Sequence, residues 1–246
     1  MYLSDEAAKQ KVLAEKYGGV ESDAYHADCA RIDAHEPWEY VLGYADFLGC
    51  RIDLSQRPMV PRDETAHWVQ RVIEEWKDKG PIQALDAYAG SGNIGIALAK
   101  HLPEAHITFN ELDANLLPQI AKSLELNGID EKCVTLIAGD SLENIIGTFD
   151  VICANPPYVD PAGESEMDPE MYYEPRIAFF GSSDGFAHHR ELIKEGKKYL
   201  TPRGVLYVEC DMTQVDELKK ILAGTDWKYE FWNDPYGHEG VMVLRA

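Results

Sequence analysis

Ile82-Gln83-Ala84-Leu85-Asp86-Ala87-Tyr88-Ala89-Gly90-Ser91-Gly92-Asn93 is the stretch from which the architecture can be worked out. Its first five residues read as a strand, its middle as a glycine-rich turn, and residues 94–102 beyond it as a helix. Gly90 and Gly92 let the backbone turn sharply and come close to a ligand, and the N-terminus of the helix behind them favours negative charge. The alternation continues downstream with a strand over 105–110 and a helix over 116–126. Val134-Thr135-Leu136-Ile137-Ala138 and Phe149-Asp150-Val151-Ile152-Cys153 are two more strands. A helix over 191–199 precedes the strand Gly204-Val205-Leu206-Tyr207-Val208-Glu209, and Val241-Met242-Val243-Leu244 is a closing apolar strand. This order predicts an α/β fold, a mostly parallel sheet wrapped by helices.

Upstream of the strand at Ile82 the pattern differs. Residues 1–45 read as a short helical lead-in, with Val12, Leu13 and Tyr17 as its apolar stripe and Gly18-Gly19 as its stop. Residues 47–60 alternate and carry β-branched and aromatic side chains, which predicts a β-hairpin. Thr65 then opens a helix that places Trp68, Val69, Val72, Ile73 and Trp76 at helical spacing. The expected division is a helical extension plus hairpin over 1–60 and the main domain over 61–246. Residues 160–184 form a long, acidic, irregular stretch where a substrate-binding loop is expected.

Composition narrows the setting. The chain has 246 residues, 45% of them hydrophobic, so it can bury a substantial core. No apolar run reaches the length of a membrane span and the N-terminus is polar, so a cytoplasmic protein is expected. The five cysteines are widely spaced with no Cys-x-x-Cys pair, which points to buried thiols in a reducing compartment. The histidines, including the adjacent pair His188-His189, lack metal-ligand spacing, so no metal is expected. The formal charge of −20 weighs against a large nucleic-acid footprint and suits a basic protein partner better.

Two ligand readings fit the glycine loop. Gly90-Ser91-Gly92-Asn93-Ile94-Gly95 matches a dinucleotide fingerprint, and Glu111 at the end of the next strand stands where an acid holds ribose hydroxyls. An NAD enzyme therefore competes. Asp86, ahead of the loop, suits the cationic amino group of a methionine moiety better than a pyrophosphate. Asp140, after the third strand, is placed to accept from an adenine amino group. Together they favour S-adenosylmethionine (SAM).

Asn155-Pro156-Pro157-Tyr158 follows an apolar strand, at the edge where open α/β sheets bind ligands. The lone pair of an amide or exocyclic amino nitrogen is delocalised, so that nitrogen is a poor nucleophile. A site helps by accepting both N–H groups, here through the Asn155 side-chain oxygen and the Pro156 carbonyl, which aligns the nitrogen and stabilises the charge developing on it. The prolines fix the backbone, and Tyr158 can cover the planar group. A SAM-dependent methyltransferase acting on a planar nitrogen is the expectation. A nucleic-acid amino group is the alternative acceptor, and a non-catalytic SAM-binding partner subunit is the alternative of another class.

From about Pro37 onward the chain resembles the HemK/PrmC family, glutamine methyltransferases of peptide chain release factors. Glu39-Tyr40-Val41-Leu42-Gly43 with Phe47 resembles the family's segment ahead of the core. Pro61-Arg62-Asp63-Glu64-Thr65 is similar to its Pro-Arg-x-x-Thr signature, and residues 85–92 and 154–159 to its SAM loop and catalytic motif. Tyr173-Glu174-Pro175-Arg176-Ile177-Ala178, Asp184-Gly185-Phe186 and Arg190 resemble its later signature.

The resemblance implies a Rossmann-like methyltransferase fold with a seven-stranded sheet. It implies that Asp86, Ala89, Gly90, Gly92, Glu111 and Asp140 bind SAM, with Arg62, Thr65 and Asn155 on the cofactor side. Asn155, Pro156, Pro157 and Tyr158 would form the catalytic motif, and Phe47, Glu174 and Arg176 would face substrate. Glu174 and Arg176 have a second reading, an ion pair pinning the substrate loop. The implied partner is a release factor bearing a Gly-Gly-Gln motif; a monomer is expected. Tyr88 stands where the family has its first loop glycine, and residues 234–240 lack the basic residue expected there. The lead-in is shorter than the family's N-terminal domain.

Overall fold

The computed structural model describes residues 3–246. Three helices stand where the sequence shows one apolar stripe: α1 (Asp5–Tyr17), α2 (Asp23–Asp33) and α3 (Trp38–Leu42). The Ser4 side chain caps the start of α1, and Gly18, in the left-handed region at φ 61°, ends it. Ala8, Val12, Ile32 and Val41 form a small core among these helices. Asp28 accepts from Lys16 at 2.7 Å and Arg31 at 2.8 Å, joining α1 to α2.

The hairpin is β1 (Tyr44–Phe47) and β2 (Cys50–Asp53), antiparallel, turning at Leu48 (φ 47°) and Gly49 (φ 77°). Two consecutive positive φ values are what a tight two-residue hairpin demands. It therefore begins before the expected 47–60 and stops at Asp53, whose partner Tyr44 is the first residue of β1 after α3, so nothing remains for later residues to pair with. Phe47, Cys50 and Ile52 belong to the larger core of the main sheet. Helix α4 (Asp63–Trp76) follows, burying Trp68, Val69, Val72, Ile73 and Trp76 on one face.

The rest of the chain runs β3 (Gln83–Ala87), α5 (Asn93–His101), β4 (His106–Glu111), α6 (Leu117–Leu126), β5 (Val134–Ala138) and β6 (Phe149–Ala154). It continues with α7 (Ala187–Glu195), β7 (Leu200–Glu209), α8 (Val215–Ala223), β8 (Lys228–Asn233) and β9 (Glu239–Arg245). The seven strands lie in the order β5-β4-β3-β6-β7-β9-β8. The first five are mutually parallel, and β9 runs antiparallel to both β7 and β8. One core fills the face under α4, α5, α6 and the hairpin, and a second fills the opposite face under α7 and α8.

Two elements, α8 and β8, lie outside the pattern read from the sequence. β8 is an edge strand, Lys228-Tyr229-Glu230-Phe231-Trp232-Asn233, of which only Trp232 is buried. Its identity comes from pairing with β9. No helix among the described residues is long and apolar enough to cross a membrane.

The strand order positions the site. From β3 the chain winds outward to β4 and β5, then returns to lay β6 against the other side of β3, pairing Ala87 with Ala154. The crevice beyond the carboxyl ends of β3 and β6 is thus a topological switch point, where open α/β sheets take ligands. The glycine loop leaves β3 there, and Asn155 leaves β6 beside it.

Candidate active site

On the cofactor side, side chains and backbone amides close on one another over short stretches of chain. Asp86 is fully buried at the end of β3, and its Oδ2 accepts the Gly95 N–H at 2.8 Å. Burial pushes its pKa well above the usual carboxylate range, and its Oδ1 has no partner among the described residues. Glu111, at the end of β4, accepts the Gly90 N–H at 2.7 Å and the Asp113 N–H at 2.8 Å. Burial again raises its pKa against those two amides. Ala89 donates its N–H to the Asn110 carbonyl at 3.0 Å, fastening the loop to β4.

Gly92 has φ 79°, and a Cβ there would lie 3.0 Å from Ile120. A Cβ at Gly95 would meet the Phe109 ring at 2.3 Å, so this glycine is what lets α5 pack onto β4. Tyr88 adopts a left-handed φ of 62°, a conformation glycine takes more cheaply. Its hydroxyl donates to Ser141 Oγ at 2.6 Å and lies 3.1 Å from His188 Nδ1. Asp140 is exposed just beyond β5. Leu112, half exposed next to Glu111, adds an apolar surface that the sequence reading passed over.

These residues fit a SAM molecule. The unpartnered Asp86 oxygen at the turn matches a cationic amino group, the held Glu111 carboxylate matches ribose hydroxyls, and the glycines keep the backbone bare of side chains.

The acceptor side is assembled from distant segments. Asn155 is half-buried and Pro156 buried. Asn155 Nδ2 donates to Thr65 Oγ1 at 3.3 Å, and Thr65 Oγ1 donates to Glu209 Oε2 at 2.7 Å. Trp68 Nε1 donates to the same Glu209 oxygen at 2.7 Å, and the Tyr158 hydroxyl donates to its Oε1 at 3.2 Å. Burial raises the Glu209 pKa while these three donors pull it down. The Tyr158 hydroxyl is pushed well above its ordinary pKa, mainly by burial and then by Glu209, so it stays protonated. Gln214 Nε2 donates to the Tyr158 carbonyl at 3.0 Å and to the Gly185 carbonyl at 3.1 Å, binding the tetrapeptide to the loop before α7.

Glu209 and Gln214 were missed in the sequence. The only available signal was an acid closing an otherwise apolar strand at the carboxyl edge of the sheet.

The remaining expected residues spread out. Phe47 is 3% exposed, inside the larger core. Glu174 is also buried. It takes Arg62 at 2.5 Å and the Val60 N–H at 2.8 Å, locking the loop after the tetrapeptide onto the segment before α4. Arg176 pairs with Glu164, and its side chain stays largely exposed. The Glu174–Arg176 pair offered as a second reading does not form, because each side chain finds a different partner. A cavity of about 260 Å³ opens beside Glu39, Val60, Pro61, Arg62 and Glu170. A second, of about 170 Å³, borders Trp68, Tyr158, Glu209 and Met212.

A switch-point glycine loop with an acid on the next strand, one strand away from Asn-Pro-Pro-Tyr, defines a Rossmann-like SAM-dependent methyltransferase. Residues 69–170 match the methyltransferase small domain. A methyltransferase from Pyrococcus furiosus shares the fold, with a TM-score of 0.58 at 17% identity over 88% of this chain and 97% of that one. The release factor glutamine methyltransferase of Streptococcus pneumoniae is 30% identical over 97% of this chain and 84% of its own length. The ribosomal protein uL3 glutamine methyltransferase of Neisseria meningitidis serogroup B is 32% identical over 97% of this chain and 74% of its own. The chain belongs to the HemK-like family of SAM-dependent protein glutamine methyltransferases. The NAD reading of the glycine loop and the non-catalytic reading fall with that assignment.

Proposed function

We propose that this chain methylates the side-chain amide of the glutamine in the Gly-Gly-Gln motif of a peptide chain release factor. The observation that carries the chemistry is the placement of Asn155, Pro156 and Tyr158 at the end of β6, one strand from the glycine loop at the end of β3, and the release factor glutamine methyltransferase relatives support the choice of partner. Asp86, Gly90, Gly92 and Glu111 would hold SAM, whose sulfonium supplies the electrophilic methyl group. The Asn155 oxygen and Pro156 carbonyl accept the two amide hydrogens, which localises electron density on the glutamine nitrogen and orients its lone pair. The Tyr158 ring covers the planar amide and keeps water off it. The net charge of −20 suits a basic protein loop.

A second partner, ribosomal protein uL3, is favoured by the relatives that act on it, which match this chain at the same level of identity. Incubation with labelled SAM and each purified protein in turn separates the two. Label on the Gly-Gly-Gln glutamine, located by mass spectrometry, is the expected result. Label on uL3 alone overturns the choice of partner. SAM binding without label on either protein overturns both readings.

A further inference from the structure

We infer that Glu209 is a positioning residue for methyl transfer, acting through the Thr65 hydroxyl to fix which end of the Asn155 carboxamide faces the substrate. The argument is one of donor counting. A threonine hydroxyl has a single hydrogen to give, and Glu209 Oε2 already serves as an acceptor, because it meets Trp68 Nε1, which can only donate. Glu209 Oε2, on a residue 6% exposed, takes that hydrogen at 2.7 Å. Thr65 Oγ1 can then only accept, so the Asn155 group that meets it must be the Nδ2 amine, at 3.3 Å.

With the amine committed to Thr65, Asn155 Oδ1 is the end left for a substrate. An incoming primary amide presents N–H hydrogens there, and an oxygen is the group that can take one. The flipped carboxamide would set donor against donor and leave Thr65 facing an acceptor with no hydrogen to offer. Asn155 is otherwise free to flip, because its two ends have nearly the same shape. The direction is therefore imposed from Glu209, two hydrogen bonds away and 54 residues downstream in the chain.

The same carboxylate also sets Tyr158, whose hydroxyl it holds at 3.2 Å. Glu209 is itself held in place: Trp68 Nε1 donates to its Oε2 at 2.7 Å, and its backbone carbonyl lies 2.9 Å from His189 Nε2. One buried group thus aims an acceptor and a cover at the same amide nitrogen. The inference rests on the reading that this amide is the methyl acceptor, and one arm of its test is independent of any substrate.

Thr65→Val keeps the shape and removes the hydroxyl, Thr65→Ser restores it, and Glu209→Leu removes the acceptor. Turnover at saturating SAM and acceptor in Thr65→Val should fall by roughly tenfold or more, the scale of one hydrogen bond to a charged group. Thr65→Ser should recover most of the loss. Because Glu209 acts through Thr65, adding Thr65→Val to Glu209→Leu should cost little beyond Glu209→Leu alone. Fully additive losses, or Thr65→Ser as slow as Thr65→Val, overturn the inference.

The substrate-free arm follows the Asn155 side-chain amide in ¹⁵N spectra, identified by its disappearance in Asn155→Ala. That signal should move in Thr65→Val and return in Thr65→Ser. It should also move in Glu209→Leu or, if that variant fails to fold, in Trp68→Phe, which loosens Glu209 without touching Asn155. An Asn155 signal unmoved by Thr65→Val overturns the inference even where no protein substrate is labelled.

Discussion

The two halves of the candidate active site are built in different ways. On the cofactor side, the bonds that shape the site join residues close in sequence: Asp86 to Gly95, nine apart, and Glu111 to Gly90, twenty-one apart. Most are between a carboxylate and a backbone N–H, and the side chains that matter most are the missing ones of glycine. On the acceptor side, Asn155 meets Thr65 ninety residues away and Thr65 meets Glu209 one hundred and forty-four away. There the contacts are between side chains, and four separate segments must arrive together. The first half needs only a strand, a turn and a helix in succession, whereas the second needs the whole sheet in its final order.

The sharpest way to break that contrast is Asn155→Ala. Removing one positioned acceptor should lower turnover by about 10²–10³-fold. SAM affinity, measured by calorimetry, should stay close to the unmodified value. Equal losses in both would mean that the halves are not separate.

Gly95→Ala probes the other half. Its Cβ would sit 2.3 Å from the Phe109 ring. Overpacking of this kind costs about 1–3 kcal/mol, read as a shifted denaturant midpoint. An unchanged midpoint would show that α5 can slide on β4 and that the cofactor side is less rigid than its contacts imply.

Asp86→Ala should weaken SAM binding by roughly tenfold, about 1.4 kcal/mol, while turnover at saturating SAM and acceptor changes little. A fall in turnover with SAM affinity intact would place Asp86 on the acceptor side of the comparison.

A smaller effect concerns pH. Burial lifts Glu39, beside the larger cavity, to about 7. A carboxyl whose folded pKa exceeds its unfolded one contributes stability below the unfolded value, and that contribution is lost as pH rises through the folded value. Raised values at Glu111, Glu174 and Glu209 act in the same sense. The melting temperature should therefore fall as pH rises above 6.5, beyond the range in which buried His189, lowered to about 4, works the other way. The fall should be roughly 2–4 °C for each kcal/mol lost, and Glu39→Gln should flatten the slope. Glu36, held down to about 2 chiefly by Arg31, works in the opposite direction, and its contribution is lost only as pH falls below the ordinary carboxylate range. An undiminished slope in Glu39→Gln would assign it to the carboxylates around the active site.

Smallest of all should be Arg176→Ala. Its pair with Glu164 is largely exposed, so the melting temperature should move by no more than about 0.5 kcal/mol would allow. Lost activity without lost stability would make Arg176 a substrate contact and extend the acceptor side to the outer loop.

How much of this could be read beforehand follows the same divide. The strands from β3 to β7, the glycine loop, Glu111 and the Asn155 tetrapeptide were legible because each declares itself within a dozen residues. The hairpin limits were displaced because the decisive feature is the pair of positive φ values at Leu48 and Gly49, and a leucine gives no sign of adopting one. β8 was invisible because only Trp232 along it is buried, so its strand character is conferred by its neighbour β9. The sequence marks Glu174 only as a substrate contact or as a partner of Arg176. Its bonds to Arg62 and Val60 join segments more than a hundred residues apart.

By itself, the sequence determined the alternating α/β architecture, the glycine turn after β3 and the Asn-Pro-Pro-Tyr run after β6. Those properties follow from local backbone geometry and hydrophobic period, which short stretches encode completely. The tertiary structure decided what surrounds that run. Thr65, Asn155, Tyr158 and Glu209 converge only once β6 has paired with β3 and β7 with β6, and the direction of a hydrogen bond is set by how many donors and acceptors meet at one place.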